Sequence, residues 1–280
     1  MSDPLVTTAW LAERLGRADI QIADGSWFMP AEGRSGRAEY LEAHIPGAVF
    51  FDVDAIADLS TDLPHMLPTP EAFAAAVGNL GLRRDATIVA YDSFGVRAAA
   101  RVWWTLKVMG FDEVFVLDGG LKAWRAEGRA LDSGDVALPP STVTPAFRPE
   151  LVRNLEDIAK VNASASAEIV DARSGARFRA EVPEPRAGLR GGHMPGARNL
   201  PFDTLLQPGG QMKSADDIAA AFREAGVDLS RPIVTSCGSG LTAAVLALAL
   251  ARLGRDDVAV YDGSWTEWGG RADTAIVTGA

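Results

Sequence analysis

One cysteine, Cys237, is all the chain has. That excludes a disulfide within the chain and suits a reducing compartment, the cytoplasm being the expected one. Histidine is nearly as scarce, with three residues in 280, placed far apart at His44, His65 and His193. With a single thiol they offer no ligand cluster, so neither a metal nor an organic cofactor is expected. Positive charge is in deficit: 27 Lys and Arg face 37 Asp and Glu, a net charge of −10. This argues against nucleic acid or an anionic membrane as partners. It argues only weakly against small anions, because two well-placed arginines override it locally. No apolar run is long enough to span a bilayer, and the one from Thr242 to Leu250 is broken by Arg252 and Gly254. Met1-Ser2-Asp3-Pro4 has neither the basic start nor the apolar stretch of a signal peptide, so none is expected.

What is present is a globular composition, 48% hydrophobic and 23% charged, enough for a full core. A length of 280 residues fits one large domain or two of ordinary size. Internal repetition decides for two. Ile20-Gln21-Ile22-Ala23-Asp24 is echoed by Glu168-Ile169-Val170-Asp171-Ala172, and His44-Ile45-Pro46-Gly47-Ala48 by His193-Met194-Pro195-Gly196-Ala197. Amphipathic helices are predicted over Pro70–Leu80 and Ser214–Ala225, each leading to a buried strand, Ala86–Tyr91 and Pro232–Ser236. Asp118-Gly119-Gly120 with Trp124 pairs with Asp262-Gly263-Ser264 with Trp268. The near-constant offset marks a duplicated domain of about 130 residues. The expected boundaries are 1–130, a linker at 131–149 carrying Pro139, Pro140, Pro145 and Pro149, and 150–280. Strands alternate with helices in each half, which predicts an α/β fold with a parallel sheet covered on both faces. The duplicated halves already supply the interface a homodimer would provide, so a monomer is expected.

Cys237 follows the β-branched run Ile233, Val234, Thr235 and precedes an Ala/Leu/Val-rich helix ending before Gly254. It is therefore expected at the carboxyl end of a strand, where ligands collect in such sheets, on a turn that Gly238 and Gly240 open to unusual backbone angles. Loop N–H groups and the helix dipole there favour a thiolate. A buried, inert cysteine is the bland alternative. Phosphate chemistry is disfavoured, because the sixth residue after the cysteine is Ala243 rather than an arginine that could clamp phosphate. Superposing the halves sets Asp92 opposite Cys237 and Phe94 opposite Ser239. Only the second copy carries a nucleophile, and the first can lend side chains to it.

Two tandem domains, two His-x-Pro-Gly-Ala elements and the six-residue loop opened by Cys237 resemble the rhodanese-type sulfurtransferases, from about Val6 to Trp268. The resemblance implies two rhodanese-like domains and sulfur transfer through a persulfide on Cys237. Thiosulfate-using members carry basic residues just after the cysteine. Cys237-Gly238-Ser239-Gly240-Leu241-Thr242-Ala243 has none and resembles the 3-mercaptopyruvate-using branch, with Leu241 in place of valine. Gly175-Ala176-Arg177-Phe178-Arg179 and Pro183-Glu184-Pro185-Arg186 resemble that branch's Gly-Arg-Phe-Arg and Pro-Glu-Pro-Arg segment, with one residue inserted before Arg177. It implies that Arg177 and Arg186 grip the keto acid, with Gly238, Gly240, Leu241 and Thr242 lining the donor site. Phe50-Phe51-Asp52-Val53-Asp54 and His65-Met66-Leu67-Pro68 resemble the segments that give a triad, here Asp54, His65 and Ser239. His44 and His193 occur in both halves and read as loop-fixing residues. Asp54 could equally cap a helix over Ala55-Ile56-Ala57.

The implied reaction takes sulfur from 3-mercaptopyruvate to a thiol acceptor, such as thioredoxin or a small dithiol, or to cyanide, and releases pyruvate. Two alternatives stay open on the residues: a thiosulfate sulfurtransferase, and a non-enzymatic persulfide carrier or redox sensor.

Overall fold

The computed structural model describes residues 3–279. They form two compact units. The first holds the residues up to Leu59, Leu67–Arg148 and Gln207–Met212; the second holds Ser60–Met66, Pro149–Leu206 and the residues from Lys213 onward.

In the first unit, strands β1 (Leu5–Val6), β2 (Ile20–Asp24), β3 (Ala48–Phe50), β4 (Thr87–Tyr91) and β5 (Val114–Leu117) form one sheet in the order β1-β5-β4-β2-β3. Every pairing is parallel. Helices α1 (Thr8–Ala12), α2 (Gly36–Glu42), α3 (Pro70–Asn79), α4 (Ala99–Val108) and α5 (Gly120–Ala126) flank it. Ile88, Val89, Ala90 and Tyr91 are all buried. Consecutive buried residues point to opposite faces of a strand, so both faces of the sheet are covered.

The second unit repeats this plan. Strands β6 (Val152–Arg153), β7 (Glu168–Asp171), β8 (Arg198–Asn199), β9 (Ile233–Ser236) and β10 (Ala259–Tyr261) run parallel in the order β6-β10-β9-β7-β8. Helices α6 (Leu155–Ser164), α7 (Gly175–Phe178), α8 (Ala215–Glu224), α9 (Ala243–Arg252) and α10 (Ser264–Gly270) surround it. In α9, Ala243 to Ala251 are buried without interruption, as befits a helix with no polar face. Helix α3 starts at Pro70 as predicted and stops before Leu80, and α8 lies one residue inside its span at each end, because Leu80, Ser214 and Ala225 are caps. Thr69 accepts from the N–H of Ala72 and Ser214 from that of Asp217, each satisfying a first-turn donor.

Both repeated histidines are packing elements. His44 is buried, donates through Nδ1 to the Tyr40 carbonyl at 2.8 Å and stacks on that ring. His193 does the same with the Phe178 carbonyl at 2.9 Å. The proline-rich segment 131–148 is tied to the first unit, with Ser141 donating to the Gly78 carbonyl and Ala146 to that of Met109. Among the described residues no helix is long and apolar enough to cross a membrane.

The halves differ at one buried carboxylate. Asp24 and Asp171 end corresponding strands, but Asp171 is paired with Arg173 and Asp24 has Ser26 at the matching place. Burial pushes Asp24 from its ordinary 3.8 up to about 6, against the hydrogen bond from Ser26. Between those values the folded state holds a proton that the unfolded chain has lost, so stability falls as pH rises through that window. The loss at neutral pH is about 3 kcal/mol at most. Asp24→Asn is therefore expected to be more stable than the wild type by about 1–3 kcal/mol near neutrality and no more stable near pH 4. Urea unfolding at the two pH values measures the difference. An advantage of equal size at both would sink the ionisation argument.

Candidate active site

Cys237 leaves β9 and is buried, with 2% of its surface exposed. Ser239 behind it is 7% exposed. Gly240 takes φ +77°, the left-handed conformation that glycine alone adopts without strain. Gly238 has no positive φ, so the expectation that both glycines serve backbone freedom is corrected there. What Gly238 supplies is room: a Cβ at this position would lie 3.1 Å from Nη2 of Arg177 and 3.9 Å from Nη1 of Arg186. The two arginines thus converge beside the residue that follows the cysteine. Leu241 is buried, and Thr242 is the N-cap of α9 without a side-chain hydrogen bond.

Strand β10 and helix α10 hold the loop by its backbone. The Cys237 N–H donates to Ser264 Oγ at 3.2 Å, and the Cys237 carbonyl accepts from the N–H of Trp265 at 3.0 Å. The Gly238 carbonyl accepts from both the N–H and the hydroxyl of Thr266, at 2.9 and 2.6 Å. Three consecutive residues, Ser264 to Thr266, therefore fix three consecutive peptide units.

Arg177 is anchored from behind. Its Nη2 donates to Glu184 at 2.5 Å, and the other oxygen of Glu184 accepts from Arg173 at 2.8 Å. Arg173 donates also to both oxygens of Asp171 and to the Gly192 carbonyl, and its guanidinium lies 4.2 Å over the ring of Trp265. Burial works to discharge Arg173, but Asp171 and then Glu184 outweigh it and hold the guanidinium above its ordinary value. The side chains of Arg173, Asp171 and Glu184 are at most 1% exposed, whereas Arg177 is 24% exposed. A dry ionic base therefore carries one arginine tip that reaches solvent. Trp265 joins both systems, with its N–H on the Cys237 carbonyl and its ring against Arg173.

His65 belongs to the second unit, as Cys237 and Ser239 do. It is buried and takes φ +62°, unusual for a residue with a side chain. Asp54 belongs to the first unit, where its Oδ2 accepts from Trp27 Nε1 at 2.8 Å. It caps no helix, because Ala55-Ile56-Ala57 is a turn; the turn is tied by Asp52, whose Oδ1 accepts from the N–H groups of Asp54 and Ala55. Sequence reading passed over Arg173, Glu184, Ser264 and Thr266. Arg173 and Ser264 were open to detection, since the repeat sets them against Ser26 and Gly120. A cleft of about 970 Å³ in the first unit lies at the amino ends of its strands, lined by Ile20, Gln21, Gly47 and Gly81. That is the end of the sheet opposite its nucleophile-position loop.

That corresponding loop shows what the turn is shaped to hold. Asp92 stands where Cys237 stands and is fully buried. Its Oδ1 accepts from the N–H groups of Phe94 and Gly95 at 2.7 and 2.8 Å, and its Oδ2 from those of Ala98 and Ala99 at 2.6 and 2.7 Å. Four backbone donors at a helix N-terminus cradle one anion.

The rhodanese-like domain family matches residues 7–127 and again 150–271. The 3-mercaptopyruvate sulfurtransferase of Escherichia coli (strain K12) is 46% identical over 268 residues, 95% of each chain. The mitochondrial thiosulfate/3-mercaptopyruvate sulfurtransferase 1 of Arabidopsis thaliana is 43% identical over 98% of this chain and 78% of its own. The crystal structure of SseA from Escherichia coli superposes with a TM-score of 0.87 at 43% identity, covering 94% of this chain and 99% of that one. With a family domain in each half, and relatives that match nearly its whole length, the chain belongs to the rhodanese-like family.

Proposed function

We propose that this chain is a sulfurtransferase that takes sulfur from 3-mercaptopyruvate. The observation that carries the reading is the convergence of Arg177 and Arg186 on Gly238, beside a loop with no basic side chain of its own. Two guanidiniums suit a planar α-keto acid, which they grip through forked hydrogen bonds.

The Cys237 thiolate attacks the donor's sulfur. The S–S bond forms as the C–S bond breaks, and the electron pair leaves on carbon as pyruvate enolate. The proton of the donor thiol passes to that carbon, giving pyruvate and a Cys237 persulfide anion. An acceptor thiolate then attacks the outer sulfur and Cys237 leaves as thiolate, which is double-displacement chemistry. A dithiol acceptor next closes to a disulfide and expels sulfide, while cyanide becomes thiocyanate. Ser239, with His65 and Asp54, is assigned the proton of the donor thiol. The loop N–H groups are assigned the sulfur's negative charge, as the Asp92 cradle suggests by repetition. A reducing compartment suits an enzyme that discharges onto thiols such as thioredoxin.

The test compares pyruvate release from 3-mercaptopyruvate with a dithiol acceptor against thiocyanate formation from thiosulfate and cyanide. We expect mercaptopyruvate to be strongly preferred and Cys237→Ser to abolish both activities. Preference for thiosulfate would reassign the donor, and turnover by Cys237→Ser would remove the cysteine from the mechanism.

A further inference from the structure

Ser264 is one of four non-glycine residues with a positive φ among the described residues, at +49°, and it is fully buried. Left-handed backbone is unfavourable for any residue with a Cβ, and strain of this kind persists where the surroundings enforce it, often at working sites. The first unit does without it. At the matching position Gly120 has φ +54°, and a Cβ there would meet the Asp92 carbonyl oxygen at 2.3 Å. One bond of the clamp recurs there, with Leu121 donating to the Asp92 carbonyl at 2.9 Å as Trp265 does to that of Cys237. So the half with a nucleophile keeps a strained serine where the half without one has a relaxed glycine. The serine adds a Cβ and a hydroxyl, and the hydroxyl makes two bonds: Oγ donates to the Tyr261 carbonyl at 2.8 Å and accepts from the Cys237 N–H at 3.2 Å.

We infer that Ser264 is a positioning residue for sulfur transfer, fixing the peptide of Cys237 so that its sulfur faces the loop's anion cradle in both the thiolate and the persulfide state. The inference rests on the sulfurtransferase reading above. The Cys237 N–H is buried and needs a partner. Without the hydroxyl it must turn to find one, and the peptide plane that aims Sγ turns with it. Arg177 and Arg186 hold the donor from another element and are not disturbed by this turn. The expected signature is therefore a loss in the chemical step with donor binding intact.

Ser264→Gly copies the first unit and relieves the positive φ, which offsets most of the two hydrogen bonds it loses, so its melting point should stay close to that of the wild type. Ser264→Ala keeps the Cβ and lacks only the hydroxyl. We expect both to lower kcat with 3-mercaptopyruvate about 100-fold, the scale of a small misplacement of a reacting group. KM should stay within about twofold, because donor binding is untouched. Alkylation of Cys237 by iodoacetamide, which involves no donor, should slow about tenfold for the same reason. A folded Ser264→Gly with wild-type kcat, or with alkylation unchanged or faster, overturns the inference. So does full activity in Ser264→Ala, which would assign the effect to backbone strain rather than the hydroxyl. If Ser264→Gly melts lower, Ser264→Ala decides alone. A wild type that releases no pyruvate defeats the donor assignment, and the alkylation rates then still decide the role of Ser264.

Discussion

Glu184→Ala should cost the enzyme about 100-fold in kcat/KM for the keto acid and about 3 kcal/mol in stability. Both losses come from one carboxylate, which takes a bond from Arg173 and a fork of two from Nε and Nη2 of Arg177. Glu184 is buried between Arg173 and Arg177, and removing it leaves Arg173 in a dry site with one carboxylate fewer. Breaking a buried pair from one side typically costs 3–5 kcal/mol; the lower figure applies because Asp171 still pairs with Arg173. For activity, two effects oppose each other. Deleting a carboxylate makes the site more positive, which favours an anionic donor. Arg177 reaches solvent, however, and at a wet site that gain is on the order of 1 kcal/mol or less. Losing the fork that aims its guanidinium costs more. The loss should fall mainly on KM, and the inhibition constant of pyruvate should rise in parallel, since both report the same grip. Glu184→Gln should fare little better, because its amide oxygen can serve one arginine only while its NH₂ group meets the other guanidinium with hydrogens facing hydrogens. Steady-state kinetics with pyruvate as product inhibitor, alongside urea unfolding, provide the check. An Ala variant with unchanged KM would remove Glu184 from donor binding.

The fold was legible because duplication tests each reading twice. A short apolar run such as Ile88 to Tyr91 could be strand or helix by periodicity alone. Its copy at Ile233 to Ser236 carries the same flanking helix and the same glycine-rich exit, so the two runs support one reading. The predicted span of α8 counts Ser214 into the helix, because a serine ahead of an amphipathic run looks the same in sequence whether it caps the helix or opens it. The exceptions lie where chain order and spatial grouping part. Nothing in the composition of Ser60–Met66 or Gln207–Met212 signals that these segments group with the other unit.

The site was legible only in part. Cys237 declares itself by its turn, and Arg177 and Arg186 by a motif. Glu184 lay inside that same motif yet gave no sign of its partner, because an ionic chain from Asp171 through Arg173 to Arg177 depends on which side chains share one buried space. Gly238 was misjudged for a related reason. Glycine in a sequence announces backbone freedom and missing volume alike, and only the position of Arg177 shows which one matters here. Ser264 has ordinary chemistry in an uncommon conformation, and only its comparison with Gly120 makes it conspicuous.

Asp92→Ala should destabilise the first unit by about 4 kcal/mol, and a small carboxylate in the buffer should restore part of that loss. The Asp92 oxygens take four backbone N–H groups, each a charge-assisted bond worth about 1.5–3 kcal/mol. Their sum overstates the cost, because the loop relaxes and water enters the space left by the side chain. Taken at the low end, four such bonds sum to about 6 kcal/mol, and relief of about 2 kcal/mol leaves the loss near 4 kcal/mol. Asp92→Asn should fare no better, although it is nearly the same shape. Its amide oxygen can serve one pair of donors, while its NH₂ group meets the other pair with hydrogens facing hydrogens. The variants should part company on adding formate. The alanine variant offers an empty cradle, so formate should stabilise it by mass action; the asparagine variant, its cradle filled, should not respond. Thermal melts across a formate series, at constant ionic strength set with chloride, read this directly. If formate stabilises neither variant, four donors around Asp92 reflect local turn geometry rather than an anion site. The case for the equivalent loop at Cys237 as a cradle for the persulfide's charge would then lose its internal precedent.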